Sequence, residues 1–125
     1  MLDQVLLLFE ITPNYDLNIM EDNQYPTQVA SAVLSGLEPF LQKERPDWVL
    51  AQGDTTRVAA ASLAAFYARV KVGHVEAGLR TYDKWQPFPE EINRRAAGVI
   101  ADLHFALPSG SARSSCAKVC PLSIY

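Results

Sequence analysis

Apolar residues Leu2, Val5, Leu6 and Phe9 recur at helical spacing in the first ten residues, and Pro13 cannot continue a helix. The chain is therefore expected to open on a helix with no strand before it. Tyr15-Asp-Leu-Asn-Ile-Met20 alternates as a short strand does, and the polar Glu21-Asp-Asn23 follows it as a loop. Val29, Val33, Leu37, Phe40 and Leu41 form one apolar stripe, which predicts a helix over 27–44 closed by Pro46. Asp47-Trp-Val-Leu-Ala-Gln52 is short and almost wholly apolar, the pattern of a parallel strand covered on both faces. Gly53-Asp-Thr-Thr56 then turns and caps a helix over 57–69, whose Ala59-Ala-Ala61 and Ala64-Ala65 allow close approach to a sheet. Val72-Gly-His-Val75 predicts the next strand. A polar, aromatic loop over 78–89 leads to a helix from about Pro89, with Glu90 and Glu91 at its positive end, and residues 101–106 read as a last strand.

Helix and strand alternate along the whole of this stretch with connections of a few residues, which argues for an α/β fold with a parallel sheet and ligands outside the carboxyl ends of its strands. At 125 residues with 49% hydrophobic positions, the chain is the size of one domain with one core. From residue 107 the pattern is lost: five serines and both cysteines, Cys116 and Cys120, crowd into 107–125 with no helical or strand period. A lone C-x3-C supplies neither a disulfide framework nor the four ligands of a structural zinc site, so no metal and no cofactor are expected. A net charge of −3 gives no positive field for nucleic acid. No apolar run approaches the ~20 residues that span a bilayer, and the opening lacks a basic secretory n-region, so neither a membrane nor export is expected and a cytoplasmic location follows.

Three carboxylates fall where such a fold keeps its chemistry. Asp54 follows one strand, Glu76 follows the next, and Glu90 begins a helix. Each has a structural alternative: Asp54 as an N-cap, Glu90 as a complement to the helix dipole, Glu76 as a loop carboxylate paired with Arg80. Arg80 is as well suited to a bidentate contact with a ligand phosphate as to an ion pair. His74, between apolar residues, reads as a hydrogen-bonded interior histidine, and Gly53 and Gly78 as turn residues. Tyr82, Trp85 and Phe88 could form a substrate-side lid or anchor their loop on the domain. No G-x-G-x-x-G follows any strand, which disfavours a dinucleotide site.

The blocks Tyr15-Asp-Leu-Asn-Ile-Met20, Gln52-Gly-Asp-Thr-Thr56, Gly73-His-Val-Glu-Ala-Gly-Leu-Arg-Thr81 and Pro87-Phe-Pro-Glu-Glu-Ile-Asn-Arg94 resemble, in order and spacing, the signature blocks of the UDP-N-acetylglucosamine 2-epimerase family, non-hydrolysing branch. The resemblance covers about residues 1–106. It implies a Rossmann-like parallel sheet with flanking helices, part of the N-terminal domain of a two-domain GT-B architecture with its active site in the interdomain cleft. It also implies interconversion of UDP-GlcNAc and UDP-ManNAc through elimination of UDP to a 2-acetamidoglucal and re-addition of UDP, supplying activated ManNAc for cell-envelope polysaccharide. Abstracting a weakly acidic C2 proton needs a base and an acid reaching opposite faces in a closed site. The resemblance places Asp54, Glu76 and Glu90 at the family's acidic active-site positions, with Arg80 and Glu90 as substrate-binding candidates, and a homodimer at full length. Family members begin with a further strand and a Gly-Thr-Arg-Pro-Glu loop and continue into a second domain. Residues 1–106 are accordingly expected to be a partial N-terminal domain and residues 107–125 an aberrant, disordered tail from a shifted reading frame. A catalytically inactive remnant and a hydrolysing relative that releases ManNAc and UDP are the competing functions.

Overall fold

A computed structural model describes residues 2–19, 21–77 and 80–105. The tail at 107–125 with both cysteines, and the turn expected at Gly78, lie outside the described residues. Helix α1 (Leu2–Leu8) ends as the Ile11 N–H donates to the Leu6 carbonyl at 2.8 Å. The strand expected over 15–20 does not form, and Met20 lies outside the described residues. Asp16 Oδ1 accepts the Asn18 N–H at 2.8 Å, and Asn18 takes a left-handed φ of 42°. That side-chain turn breaks the extended backbone the alternation suggested. The apolar members of the segment pack on a helix instead. Tyr15 meets the Phe40 ring edge-on at 4.6 Å and donates its hydroxyl to Glu44 at 2.7 Å, while Leu17 lies over Gly36.

Helix α2 (Pro26–Glu44) starts on Pro26, whose missing N–H costs nothing at a first turn, and Gln28 returns its side-chain oxygen to the Tyr25 N–H at 2.9 Å. It ends where Arg45 turns left-handed at φ 45°, just before Pro46. Strands β1 (Trp48–Gln52), β2 (Lys71–Val75) and β3 (Leu103–Phe105) form a parallel sheet in the order β1-β2-β3. Helices α3 (Thr56–Tyr67) and α4 (Glu90–Ile100) make the two crossovers, and α3 lies between α2 and α4. Gly73 pairs with Leu50 and Leu103, and His74 with Ala51 and His104. Ala51, Val72 and His74 are buried on the face the helices cover.

The opposite face differs from expectation. Leu50 is 68% exposed and Trp48 38%, so β1 is covered on one face among the described residues, not on both. On that face Leu50 and Phe105 lean over Gly73, where a Cβ would stand 2.7 Å from Leu50 Cδ2 and 3.0 Å from Phe105 Cε2. The core is built from small side chains: Ala51, Val58 and Ala97 cluster between the sheet and the two crossover helices, and Ala60, Ala64 and Ala65 of α3 are also buried. Helix α3 begins directly after the end of β1, and contacts of Arg94 with Asp54 and of Asn93 with Thr56 bring the start of α4 beside it.

Candidate active site

The rim at the carboxyl ends of β1 and β2 is shaped by two backbone turns. Gly53 adopts φ +90°, a conformation costly for a residue with a Cβ, while its N–H continues the ladder to the Val75 carbonyl at 3.0 Å. Its carbonyl accepts a hydrogen bond from His74 Nε2 at 2.7 Å. A carbonyl can only accept, so Nε2 carries the proton and His74 is the hydrogen-bonded interior histidine the sequence suggests. One strand over, the Glu76 N–H donates to the Phe105 carbonyl at 2.8 Å and Glu76 takes φ +65°. Left-handed backbone in a glutamate is uncommon, and such conformations concentrate where a side chain must be aimed.

Asp54 does not cap α3. The cap position belongs to Thr55, and the Asp54 carboxylate instead accepts a hydrogen bond from the Arg94 guanidinium on α4. Thr56 Oγ1 accepts from Asn93 Nδ2 at 3.3 Å, a second tie between the starts of the two helices. Glu76 is not paired with Arg80. It leans back across the end of β1, where Oε1 accepts from Gln52 Nε2 at 3.2 Å and Oε2 stands 4.0 Å from the position of a Cβ on Gly53. Asp54 and Glu76 thus flank one glycine turn, each issuing from the end of its own strand.

Glu90 is in the first turn of α4, as its dipole role requires, and borders a cleft of about 250 Å³ with Gln24, Thr55, Thr56, Arg57 and Asn93. Its Oε2 is buried and has no hydrogen-bond partner in the structure. The structure therefore brings the starts of α3 and α4 to one cleft beside the Asp54–Glu76 rim.

Arg80 is committed to Glu91, which the sequence reading takes only as a complement to the helix dipole. Glu91 has no exposed surface and accepts from Arg80 Nε at 3.2 Å, Arg95 Nε at 2.9 Å and the Thr81 N–H at 3.1 Å, with Arg94 Nη1 at 3.7 Å. Burial alone would push its carboxyl up. The Thr81 N–H, then the Arg95 and Arg80 side chains and the charge of Arg80, outweigh burial and hold it at about 2. Glu91, Arg94 and Arg95 stand at i, i+3 and i+4, a helical ion-pair spacing that could have flagged the cluster; Arg94 bonding back to Asp54 across forty residues had no signal in the sequence.

Thr81 ties the start of the aromatic loop to Glu91 on α4, and the rest of the loop is bonded to itself. Thr81 Oγ1 donates to the Gln86 carbonyl at 2.6 Å and the Trp85 N–H to Asp83 Oδ1 at 2.9 Å, while Trp85 and Phe88 stack at 6.0 Å. Those two rings are 64% and 61% exposed and Tyr82 74%, so none of the three aromatic side chains anchors the loop among the described residues. Beneath the site, His104 lies 6.4 Å from His74 between ring centres, and burial, then the neighbouring His74, push it below its ordinary value. Among the described residues, no three or more His, Cys, Asp or Glu side chains are grouped to hold a metal ion, and no helix is long and apolar enough to cross a membrane.

A parallel sheet with acidic side chains at the ends of adjacent strands, beside a cleft between helix N-termini, defines a Rossmann-like α/β protein with a candidate site at its strand ends. The model of the UDP-N-acetylglucosamine 2-epimerase family matches residues 1–117, running past residue 106 where the motif resemblance stops, and the chain belongs to that family. A putative UDP-N-acetylglucosamine 2-epimerase of Clostridium acetobutylicum is 57% identical over 114 residues, 91% of this chain and 30% of the relative. The UDP-N-acetylglucosamine 2-epimerase of Bacillus subtilis is 53% identical over 118 residues, 94% of this chain and 31% of the relative. A crystal structure of UDP-GlcNAc 2-epimerase from Neisseria meningitidis bound to UDP-GlcNAc superposes with a TM-score of 0.87 at 49% identity, covering 96% of this chain and 32% of that one. The chain spans about a third of the length of the relatives it matches. The likeness supports the α/β expectation at the level of the fold and agrees with the GT-B architecture that the resemblance implies.

Proposed function

We propose that the chain carries one wall of the active site of an enzyme that interconverts UDP-GlcNAc and UDP-ManNAc. The observation that carries this reading is the pair Asp54 and Glu76, set by adjacent strand ends on either side of the Gly53 turn, in a chain of this family. Inversion at C2 requires one group to remove the C2 proton while the C1–O bond breaks and UDP leaves with its electron pair. The 2-acetamidoglucal then takes a proton on the other face of C2 as UDP returns to C1, so the reaction is balanced without any cofactor. Asp54 and Glu76 are the proton-transfer pair. Glu90, beside the neighbouring cleft, serves binding or catalysis, and Arg80, 36% exposed with its Nε held by Glu91, is the other substrate-contact candidate. Residues 1–106 belong to the N-terminal domain of a GT-B enzyme, homodimeric and cytoplasmic, in which the second domain closes over this rim. The family match and the fold likeness support the GT-B part of that reading.

The test uses a chain of the relatives' full length carrying these residues, assayed for UDP-ManNAc formation and for solvent deuterium entering C2. Glu76→Gln and Asp54→Asn are each expected to lower turnover by roughly 10²-fold or more, with substrate binding less affected. Undiminished C2 exchange in either variant removes that residue from proton transfer. Free ManNAc and UDP from the parent chain would place it with hydrolysing relatives, and a folded parent with no C2 exchange would mark an inactive remnant.

A further inference from the structure

Glu91 is the most completely enclosed carboxylate among the described residues, and nothing in the proposed chemistry uses it. A buried charge of this kind is costly unless every lone pair is met. Here one carboxylate gathers three arginines and a backbone N–H, drawn from two different segments. Arg94 and Arg95 lie on its own helix. Arg80 and Thr81 come from the chain that leaves β2 just after Glu76. Arg94 in turn reaches Asp54 at the end of β1, so its guanidinium is shared between Glu91 and Asp54. Through α4, Glu91 therefore touches both strand-end segments that carry the candidate proton-transfer groups.

We propose that Glu91 is a positioning residue for the proton-transfer site: its buried carboxylate holds Arg94 against Asp54 and holds the Arg80–Thr81 segment, which follows Glu76, against α4. The proposal rests on the epimerase reading of the site. Its geometry explains why a fully buried carboxylate lies beside Glu90 in the first turn of α4, where one acidic residue would suffice for the dipole. Glu91 itself does not carry a proton in the reaction. It is enclosed by its partners and held ionised far below neutral pH, so it offers neither a path nor a protonation change near the working range.

The experiment compares Glu91→Gln and Arg94→Lys with the parent chain at full family length, using UDP-GlcNAc with hydrogen or deuterium at C2. Glutamine keeps the shape of Glu91 and removes the charge that gathers the arginines. Lysine keeps a cation beside Asp54 but loses the planar fork that serves two carboxylates at once. In both variants kcat is expected to fall on the order of 10-fold to 10²-fold, with KM changed by less than about 3-fold, because small displacements of reacting groups weigh on the chemical step. The deuterium isotope effect on kcat is expected to rise, because C2–H cleavage becomes more rate-limiting. A role in stability alone would reduce the amount of folded enzyme and leave the isotope effect of the remainder unchanged. An unchanged isotope effect, or a kcat per folded molecule equal to the parent's, overturns the proposal. If Glu91→Gln does not fold, Arg94→Lys decides by the same two readouts. A parent chain that shows no C2 exchange at all would instead refute the epimerase reading, an outcome separate from failure of the positioning role.

Discussion

Glu91 ties its own ionisation to folding. Its carboxyl moves from an ordinary 4.5 to about 2 on folding, so the folded state binds its proton more weakly than the unfolded state does. The resulting stabilisation is fully present above pH 4.5 and is lost as the pH falls from there through about 2. Urea unfolding of the parent and of Glu91→Gln should show a gap at pH 7 that narrows steadily below pH 4.5. A gap independent of pH down to 3 would contradict the assignment. The three candidate carboxylates Asp54, Glu76 and Glu90 were legible in the sequence because strand ends and helix starts can be read from local pattern. Their partners were not. Asp54 with Arg94, Glu76 with Gln52 and Arg80 with Glu91 are pairings made by the sheet and by α4, and local alternatives such as an Asp54 cap or a Glu76–Arg80 pair looked equally good without the fold.

Among the elements, the six from α1 to α4 and the short β3 followed from periodicity, proline positions and the apolar run at β1. Tyr15 to Ile19 did not, because alternation of polar and apolar residues also suits a loop that lays Tyr15 and Leu17 on a helix while Asp16 bends the backbone. At β1 an apolar composition was read as cover on both faces, although composition records only that the residues are apolar. The same strand supports a sharper expectation. In Gly73→Ala the new methyl would meet Leu50 Cδ2, the end of an exposed and movable side chain, and the Phe105 ring edge, which has less freedom. Thermal unfolding should report a cost of about 1–2 kcal/mol. Adding Leu50→Ala should recover part of it, and a double-mutant cycle additive within roughly 0.3 kcal/mol would show that the contact is not the cause.

At the scale of the molecule, nine buried apolar residues form the described core and five of them are alanines, which bury little area each. Leu50 and Trp48 remain open on the far face of the sheet. Residues 1–125 expressed alone are therefore expected to unfold over a broad temperature range and to form no UDP-ManNAc, since the described rim holds the carboxylates while the chain spans about a third of the relatives' length. A sharp calorimetric transition together with turnover above background would overturn this. The alanine core and the arginine-carboxylate rim above it also answer differently to their solvent. Sulfate strengthens apolar burial by its exclusion from protein surface, whereas ionic strength screens pairs such as Asp54–Arg94 and Glu91–Arg95, whose partly exposed members leave them open to counterions. Melting temperature and rim geometry can then move in opposite directions in one titration, so a buffer chosen for the highest melting point need not be the one in which the two strand ends are best aligned.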